Sequence, residues 1–556
     1  MPTIELDLKD LEKLARKKIP HTRPALDDLV MLVKGEVDAL QGSALRLDLK
    51  DTNRPDLLSA EGIARELRAR LGTEKGIPAY KTIKGKNEIT IEKTVEKARP
   101  FIACGIARNI KITEPVLTQF IQLQEKIGTT FGRRRKETGI GLYDWDKMTP
   151  PLKYLGVKPA AVKFAPLSFE TPMTLKEILE KHPKGMEFAH LVQDKEYYPL
   201  LVDAAGEVCS FPPIINSNHT GKVTSDTKNI FVEVTGHQWK TVNTALNVML
   251  MALADRGAGI ETLTVHFPRT PAYPKKSMVT PTFETETIEL DLDFVRTWSG
   301  LHWTPKHVLA LLEKSRMKGT LHGNKVHVTY PAYRQDVLHA VDVIEDLLIS
   351  SGFNEIPLHY PALSVAGKEN AHHQIERMVR DACTGMGMQE IMTFTLTSRE
   401  KQETHMNMEP QHLVEIANPK SMNHHVLRAR LIPEMLAFLA QNKNAAYPQR
   451  VFEIGRTIEL NAAYENGVRE HKKVCLALTK DACNYTEIKT HFETLAKLLQ
   501  WNVHYHAHDT PYFIPGRSVE LRAGNCEGVM GEIHPRILEK FGLEKPVVLV
   551  EMEVGE

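Results

Sequence analysis

Between Tyr333 and Pro357 the apolar residues Val341, Ile344, Leu347 and Leu348 recur with the spacing of one helix face. Asp342, Glu345 and Asp346 fall on a different face at i, i+3, i+4 spacing, and Asp336 lies before or at the first turn. Carboxylates this close repel one another unless bulk water, basic groups from a partner or a hard cation offsets the charge. Pattern alone favours a solvated acidic face.

The same reading along the chain predicts alternating strands at residues 3–8 and 44–49 and an amphipathic helix at 9–17. Asn53, Pro55 and Asp56 mark a turn before a helix. Residues 81–97, polar and lysine-rich, read as a connector with an edge strand, and a β-rich region with frequent prolines then runs to about Pro274. Within it, residues 198–202 and 208–216 predict two strands around a turn at 204–207. The alternation from Asn229 places Glu233 and Thr235 on one strand face, opposite Val232 and Val234. A Glu and a Thr so placed ordinarily belong to a solvated sheet surface. Residues 247–253 read as a helix segment that packs the sheet.

Further on, a helix starts near Thr304 with Pro305 in its first turn, Gly319 ends that region, residues 325–329 form a strand, and the acidic helix follows. This mixture resembles a winged-helix layout, which by itself implies no DNA binding. From about Tyr360, residues 374–383 predict an amphipathic helix, and Met392, Phe394 and Leu396 alternate on a strand.

A chain of 556 residues implies several domains. An apolar fraction of 42% and a charged fraction of 25% are ordinary for globular protein and demand no disorder. Lys plus Arg, 71, nearly cancels Asp plus Glu, 70, so RNA contact would rest on local patches, of which Arg133, Arg134, Arg135 and Lys136 form the obvious one. The six cysteines are scattered without a C-x-x-C pair, as expected in a reducing cytosol. With no signal-like N-terminus and no run of about 20 apolar residues, the expectation is a soluble cytoplasmic protein with no membrane contact. His504, His506 and His508 share a strand face and raise a weak metal-site alternative with no evident fourth ligand.

Literal phrases add a resemblance. P-x-Y-R-x-D, H-x-x-D-x-x-E-D and G-F-N-x-I-P, spanning residues 331–357, resemble the phenylalanyl-tRNA synthetase β-subunit family of the archaeal and eukaryotic cytosolic type. T-N-R-P-D with G-I-A-R-E-L near residues 52–67, S-F-P-P-I-I-N-S at 210–217 with a later V-T-G, and N-P-K-S, R-V-F-E-I-G, P-G-R-S-V-E-L and G-E-I-H-P toward the end are similar to the same family, in order along nearly the whole chain. The resemblance to that type implies an expectation of neither the N-terminal insert nor the C-terminal extension of longer bacterial β subunits.

That resemblance implies an α+β multidomain protein: an N-terminal α/β domain at 1–85, a β-rich editing domain at 86–272, a small winged-helix-like domain at 273–360, and a C-terminal class II synthetase-like antiparallel sheet with helices at 361–556. It implies Mg²⁺ at Asp336, Asp342, Glu345 and Asp346, near the contact with an α subunit. It implies an editing pocket lined by Leu201, Ser210, Glu233 and Thr235. Archaeal relatives carry Asp where this chain has Glu233, so the acid is kept with a longer reach. The implied partners are an α subunit in an α₂β₂ tetramer and tRNA(Phe), with ATP as co-substrate at the α subunit. An active class II module needs an arginine in an F-R-x-E type strand and a glycine-rich strand ending in another arginine. Here Arg450 is out of register with Glu453, and Pro515-Gly516-Arg517 lacks the glycine-rich pattern, so the C-terminal module reads as catalytically degenerate. The implied function is support of phenylalanine charging by the α subunit, with hydrolysis of mischarged Tyr-tRNA(Phe) in the editing pocket. The alternative is a noncatalytic scaffold for the α subunit and tRNA with a degenerate pocket.

Overall fold

Alternation at the N-terminus becomes a strand, Thr3–Asp7, that runs directly into the helix Leu8–Ala15. Asp7 makes the junction, its carboxylate accepting from the Asp10 N–H at 3.0 Å in place of the missing intrahelical partner. The strand pairs antiparallel with Ala44–Leu49, which pairs in turn with Gly35–Gln41. The T-N-R-P-D phrase forms a 3₁₀ turn, Pro55–Leu57, and Ser59 caps the following helix Ala60–Arg70 through the Gly62 N–H. Every residue of that helix is buried, including Glu61, Arg65, Glu66, Arg68 and Arg70. Charges so deep persist only in pairs.

The computed structural model describes residues 2–273 and 275–555, and two units divide between His359 and Tyr360. In the first unit a large sheet takes most of the region after residue 85. Ile230–Gly236 lies between Phe101–Arg108 and Thr138–Asp144, antiparallel to both. On the other side of Phe101–Arg108 comes Gly259–His266, then Glu88–Ile91, Leu152–Val157, Tyr198–Val202 and Val208–Phe211. The helix Trp239–Asp255 covers one face. Its residues Leu246, Val248, Leu250 and Leu253 join Val232 and Val234 and the N-terminal leucines in one apolar core. A further layer is a three-stranded antiparallel sheet, Thr285–Asp291, Lys325–Pro331 and Lys318–His322, with the helices Leu292–Ser299, Pro305–Lys314 and Ala340–Ser351. Thr304 caps the second helix through the His307 N–H, with Pro305 at its start. Gly319 does not end the helical region. It lies within the strand, where a Cβ would come within 2.5 Å of Leu309 and 2.7 Å of Leu312.

In the second unit a seven-stranded sheet is built on the long hairpin Gln449–Leu460 and Val468–Thr479. Strict alternation sends Cys475 and Ala477 into one core with the helices Ile432–Gln441 and Pro535–Phe541. Val474, Leu476 and Leu478 enter another with Ala371–Gly385 and Tyr485–Leu498. Met392 and Phe394 depart from the expected strand: the pairing stops after Gln389–Glu390 and resumes only at Leu396–Thr397. Thr393 is drawn to the Glu453 carboxylate, 2.7 Å away, and the two large side chains on either side of it are left 93% and 76% exposed.

Candidate functional site

The strand Ile230–Gly236 is buried at every residue, so Glu233 and Thr235 face the interior and not solvent. They close one side of a cavity of about 450 Å³, whose other walls come from the helix Glu114–Thr129 (Leu117, Ile121, Gln124), from Pro212 to Asn216, from Phe169 on a loop, and from His182 at the junction of two short helices. The volume lies in the range of sites for small organic groups.

Glu233 owes its position to what lies opposite. On the neighbouring strand its register partner is Gly141, and Thr235 faces Gly139. A Cβ on Gly141 would sit 2.5 Å from Glu233 Oε2 and 2.3 Å from the Tyr143 hydroxyl, so only glycine lets the two groups meet. The Tyr143 hydroxyl donates to Glu233 Oε2 at 2.8 Å. Glu233 Oε1 is buried with no hydrogen-bond partner. Burial pushes the Glu233 carboxyl up to about 7, against the opposing pull of Tyr143, Thr235 and Arg99. A carboxyl in that state exchanges between proton donor and acceptor near neutrality, and Oε1 is the atom left to do so.

Thr235 is oriented by Arg99, whose Nε donates to its Oγ1 at 2.9 Å and whose Nη2 donates to its carbonyl at 2.6 Å. Fully buried, the guanidinium is pulled down to about 10 by desolvation. Its third contact is the Lys136 carbonyl at 3.2 Å. His182 has both ring nitrogens engaged: Nε2 with the Leu167 carbonyl at 3.2 Å, and Nδ1 with the Lys184 N–H at 3.1 Å. It is therefore no free base for the serine nearby, Ser168.

Of the four residues expected to line this pocket, Glu233 and Thr235 do so and Leu201 and Ser210 do not. Leu201 packs with Tyr143, Phe231 and Cys209 in the apolar cluster on the sheet face that Glu233 shares. Ser210, its register partner, flanks the Tyr143 hydroxyl, and its buried Oγ makes no hydrogen bond of normal geometry. Sequence reasoning missed Tyr143, Arg99 and the helix Glu114–Thr129. A signal for the first existed in the alternation Gly139, Gly141, Tyr143, which puts two small residues and one phenol on one strand face.

The four acids around residue 340 sit otherwise than expected. Asp336 and Asp346 are buried against guanidinium groups: Arg334 holds Asp336 through two bonds of 2.9 and 2.7 Å and also bonds Asp346, while Arg70 reaches Asp346 at 2.7 Å. Burial opposes ionisation of Asp346, yet Arg334, Arg70 and Arg54 together hold its carboxyl well below the usual range. Asp342 caps its own helix, accepting from the N–H groups of Leu338 and His339. Glu345 is exposed and paired with Lys34 at 2.7 Å. The three side chains of the helix thus do not share one face. Two carboxylates already neutralised by arginines do not fit a divalent cation, and by themselves the four form no magnesium site. Among the described residues no group of three or more His, Cys, Asp or Glu is arranged to hold a metal ion, His504, His506 and His508 included.

Residues 288–353 match the tRNA synthetase B5 domain family and residues 356–554 match the phenylalanyl tRNA synthetase beta chain CLM domain family. Fold and motifs thus define a component of an aminoacyl-tRNA synthetase. The chain is 41% identical over 566 residues to the phenylalanine-tRNA ligase beta subunit of Thermococcus gammatolerans, covering 99% of this chain and 98% of that one. It is 40% identical to the one from Pyrococcus horikoshii, with 99% of each covered. An N-terminal fragment of the phenylalanyl-tRNA synthetase beta subunit from Pyrococcus horikoshii superposes with a TM-score of 0.60 at 42% identity, covering 63% of this chain and all of the fragment. This chain belongs to the phenylalanine-tRNA ligase beta subunit family.

Proposed function

We propose that the chain serves as the β subunit of a phenylalanine-tRNA ligase, supporting ATP-dependent charging of tRNA(Phe) by an α subunit. We further propose that its cavity hydrolyses tyrosine wrongly esterified to that tRNA. The observation that carries the second part is Glu233 Oε1, a buried and unpartnered polar atom in a cavity otherwise walled largely by apolar groups. An apolar pocket shaped for phenylalanine rejects tyrosine by only about 10², because an added hydroxyl costs little there. A pocket with a waiting hydrogen-bond partner discriminates in the opposite sense. Tyrosine satisfies Oε1 through its phenol, whereas phenylalanine leaves it unpaired.

In this reading Glu233 and Thr235 receive the tyrosyl ring and Arg99 holds Thr235 in place. A water oxygen attacks the ester carbonyl and the bond to the ribose oxygen breaks. Free tyrosine and the tRNA 3′-terminal hydroxyl leave. With both nitrogens of His182 engaged, no nucleophile and base pair lines the cavity among the described residues, which favours water oriented by the bound RNA and backbone.

The second unit fits a role in assembly. Arg450 is exposed while Glu453, three residues on, is buried in an ion pair with Arg428 at 2.7 Å. A clamp for the ATP α-phosphate needs an arginine on the inner face, and here that face is taken by the pair and by Thr393. Arg517 pairs with Glu532 instead. Met392, Phe394 and Met422, all exposed, offer apolar surface to a partner subunit.

The test is deacylation of Tyr-tRNA(Phe) and Phe-tRNA(Phe) by the purified αβ complex and by its Glu233→Ala form. The expected result is rapid hydrolysis of the tyrosyl ester alone, reduced at least tenfold by the substitution. Equal rates in both forms remove the role of Glu233, and no hydrolysis in the unsubstituted complex leaves a scaffold.

A further inference from the structure

Where the strand Lys325–Pro331 ends, the chain turns at Tyr333 against the helix Trp239–Asp255. Tyr333 is 4% exposed and belongs to the apolar core that this helix shares with the N-terminal leucines. The Arg65 guanidinium lies 5.8 Å from its ring centroid, and its hydroxyl is buried with no hydrogen-bond partner among the described residues. Burial, with Glu66 adding to it, pushes that hydroxyl upward from the ordinary phenol range, so it keeps its proton and stays a donor.

Asn247 stands midway along the helix, 3% exposed among Leu246, Val248 and Leu250. Its Nδ2 donates to the Thr282 carbonyl at 2.7 Å, which fixes the amide, since turning it over would set Oδ1 against that carbonyl. Oδ1 is then buried without a partner among the described residues. One donor and one acceptor are thus stranded on two elements distant in sequence, and each unpaired group carries the full desolvation penalty of a buried polar atom. Both residues line one cavity of about 20 Å³, bounded also by Tyr80, Met251, Phe283 and Pro331. That volume exceeds the roughly 10–15 Å³ that a single water needs and is far below what an organic group requires. Tyr80 is already engaged, its hydroxyl accepting from Arg65 at 2.6 Å and lying 3.2 Å from Asp255 Oδ1.

We infer that this cavity is a binding site for one water molecule, which accepts from the Tyr333 hydroxyl and donates to Asn247 Oδ1, joining the turn after Pro331 to the helix that covers the sheet of Glu233. Two protein partners fall within the two to four that buried waters make. Apolar packing is non-directional, whereas a bridging water fixes the turn against the helix at one point. The site depends on no substrate and stands apart from the editing role proposed above.

The experiment uses the αβ complex. A crystal structure at a resolution that shows ordered water is expected to hold a single peak within about 3.2 Å of both Tyr333 Oη and Asn247 Oδ1. Amide hydrogen exchange on the helix Trp239–Asp255 is then compared in the unsubstituted complex, in Tyr333→Phe, in Asn247→Leu and in the double variant. Tyr333→Phe is expected to raise the opening equilibrium of the helix roughly three- to tenfold, the loss of one such bond. In the Asn247→Leu background the same change is expected to lose that effect or reverse it, because the water has already lost its acceptor. The absence of a peak overturns the inference and needs no variant to fold. An opening equilibrium lowered by Tyr333→Phe alone also overturns it, being the response of a hydroxyl held without a partner. Additive effects of the two substitutions overturn the bridge as well, since they mark two separate environments.

Discussion

The buried carboxyl of Glu233 makes the stability of the central sheet depend on pH in a calculable way. In the folded chain the group protonates at about 7, against 4.5 for an ordinary glutamate, because burial disfavours the charge. Below pH 4.5 both folded and unfolded chains carry the proton, and the group costs nothing. As pH rises the unfolded chain ionises first while the folded one keeps its proton, so stability falls by up to about 1.4 kcal/mol per unit until both ionise above 7. Glu233→Gln removes the titration and keeps an oxygen to accept from Tyr143. The variant is expected to gain on the native chain by about 2.5 kcal/mol between pH 5 and pH 8, roughly a seventyfold change in an opening equilibrium. A chain of several layers does not melt in one step, so the measurement is local: amide hydrogen exchange on the strand Ile230–Gly236 in both proteins at each pH. Taking the ratio of the two cancels the intrinsic exchange rates. A ratio constant within about twofold from pH 5 to 8 refutes the argument, and so does a change in the opposite sense, which would mean a carboxylate stabilised by its surroundings.

Three further outcomes follow from the same geometry. Tyr143→Phe deletes a bond that lowers the Glu233 carboxyl, so the pH profile of tyrosyl-ester hydrolysis should move to higher pH; an unmoved profile separates Tyr143 from the acid. Gly141→Ala places a methyl 2.3 Å from the Tyr143 hydroxyl and should cut hydrolysis at least tenfold with charging of phenylalanine by the complex retained, as steady-state assays of both reactions would show. Asp346→Asn removes the carboxylate closest to buried Arg70 and leaves Arg334 with Asp336 alone, and should cost about 3–5 kcal/mol in denaturant unfolding, whereas millimolar Mg²⁺ or EDTA should leave the melting of the isolated chain unchanged to within about 1 °C.

Periodicity carried the elements well where burial was one-sided. The strands at 3–7 and 44–49 and the helix begun by Thr304 and Pro305 sit where alternation and capping place them. It failed where a polar side chain pulled the backbone from its period, as Thr393 does on its way to Glu453. The pairing of Glu233 with Thr235 was legible because a strand has a period of two. Whether that face met solvent or a cavity was not, since the cover comes from the helix Glu114–Thr129 and from Pro212 and Pro213, distant in sequence. The acids near residue 340 were misjudged for the same reason. Arg334 stood close by in sequence, but the other arginine partners, at 54 and 70, lie more than 250 residues away, and one-dimensional spacing does not report who neutralises whom.

That separation has a consequence for synthesis. The helix Ala60–Arg70 has every residue buried, and Arg70 waits for Asp346, 276 residues later, before its charge is matched. At roughly 5–20 residues per second, on the order of a quarter of a minute to a minute passes between their emergence from the ribosome. For that interval the helix sets three arginines against only two acids of its own, Glu61 and Glu66, and Arg70 lacks its 2.7 Å partner. Nascent chains of this protein should therefore stay protease-sensitive around residues 60–70 until translation has passed Asp346, making the helix Ala340–Ser351 the latch that completes the first unit.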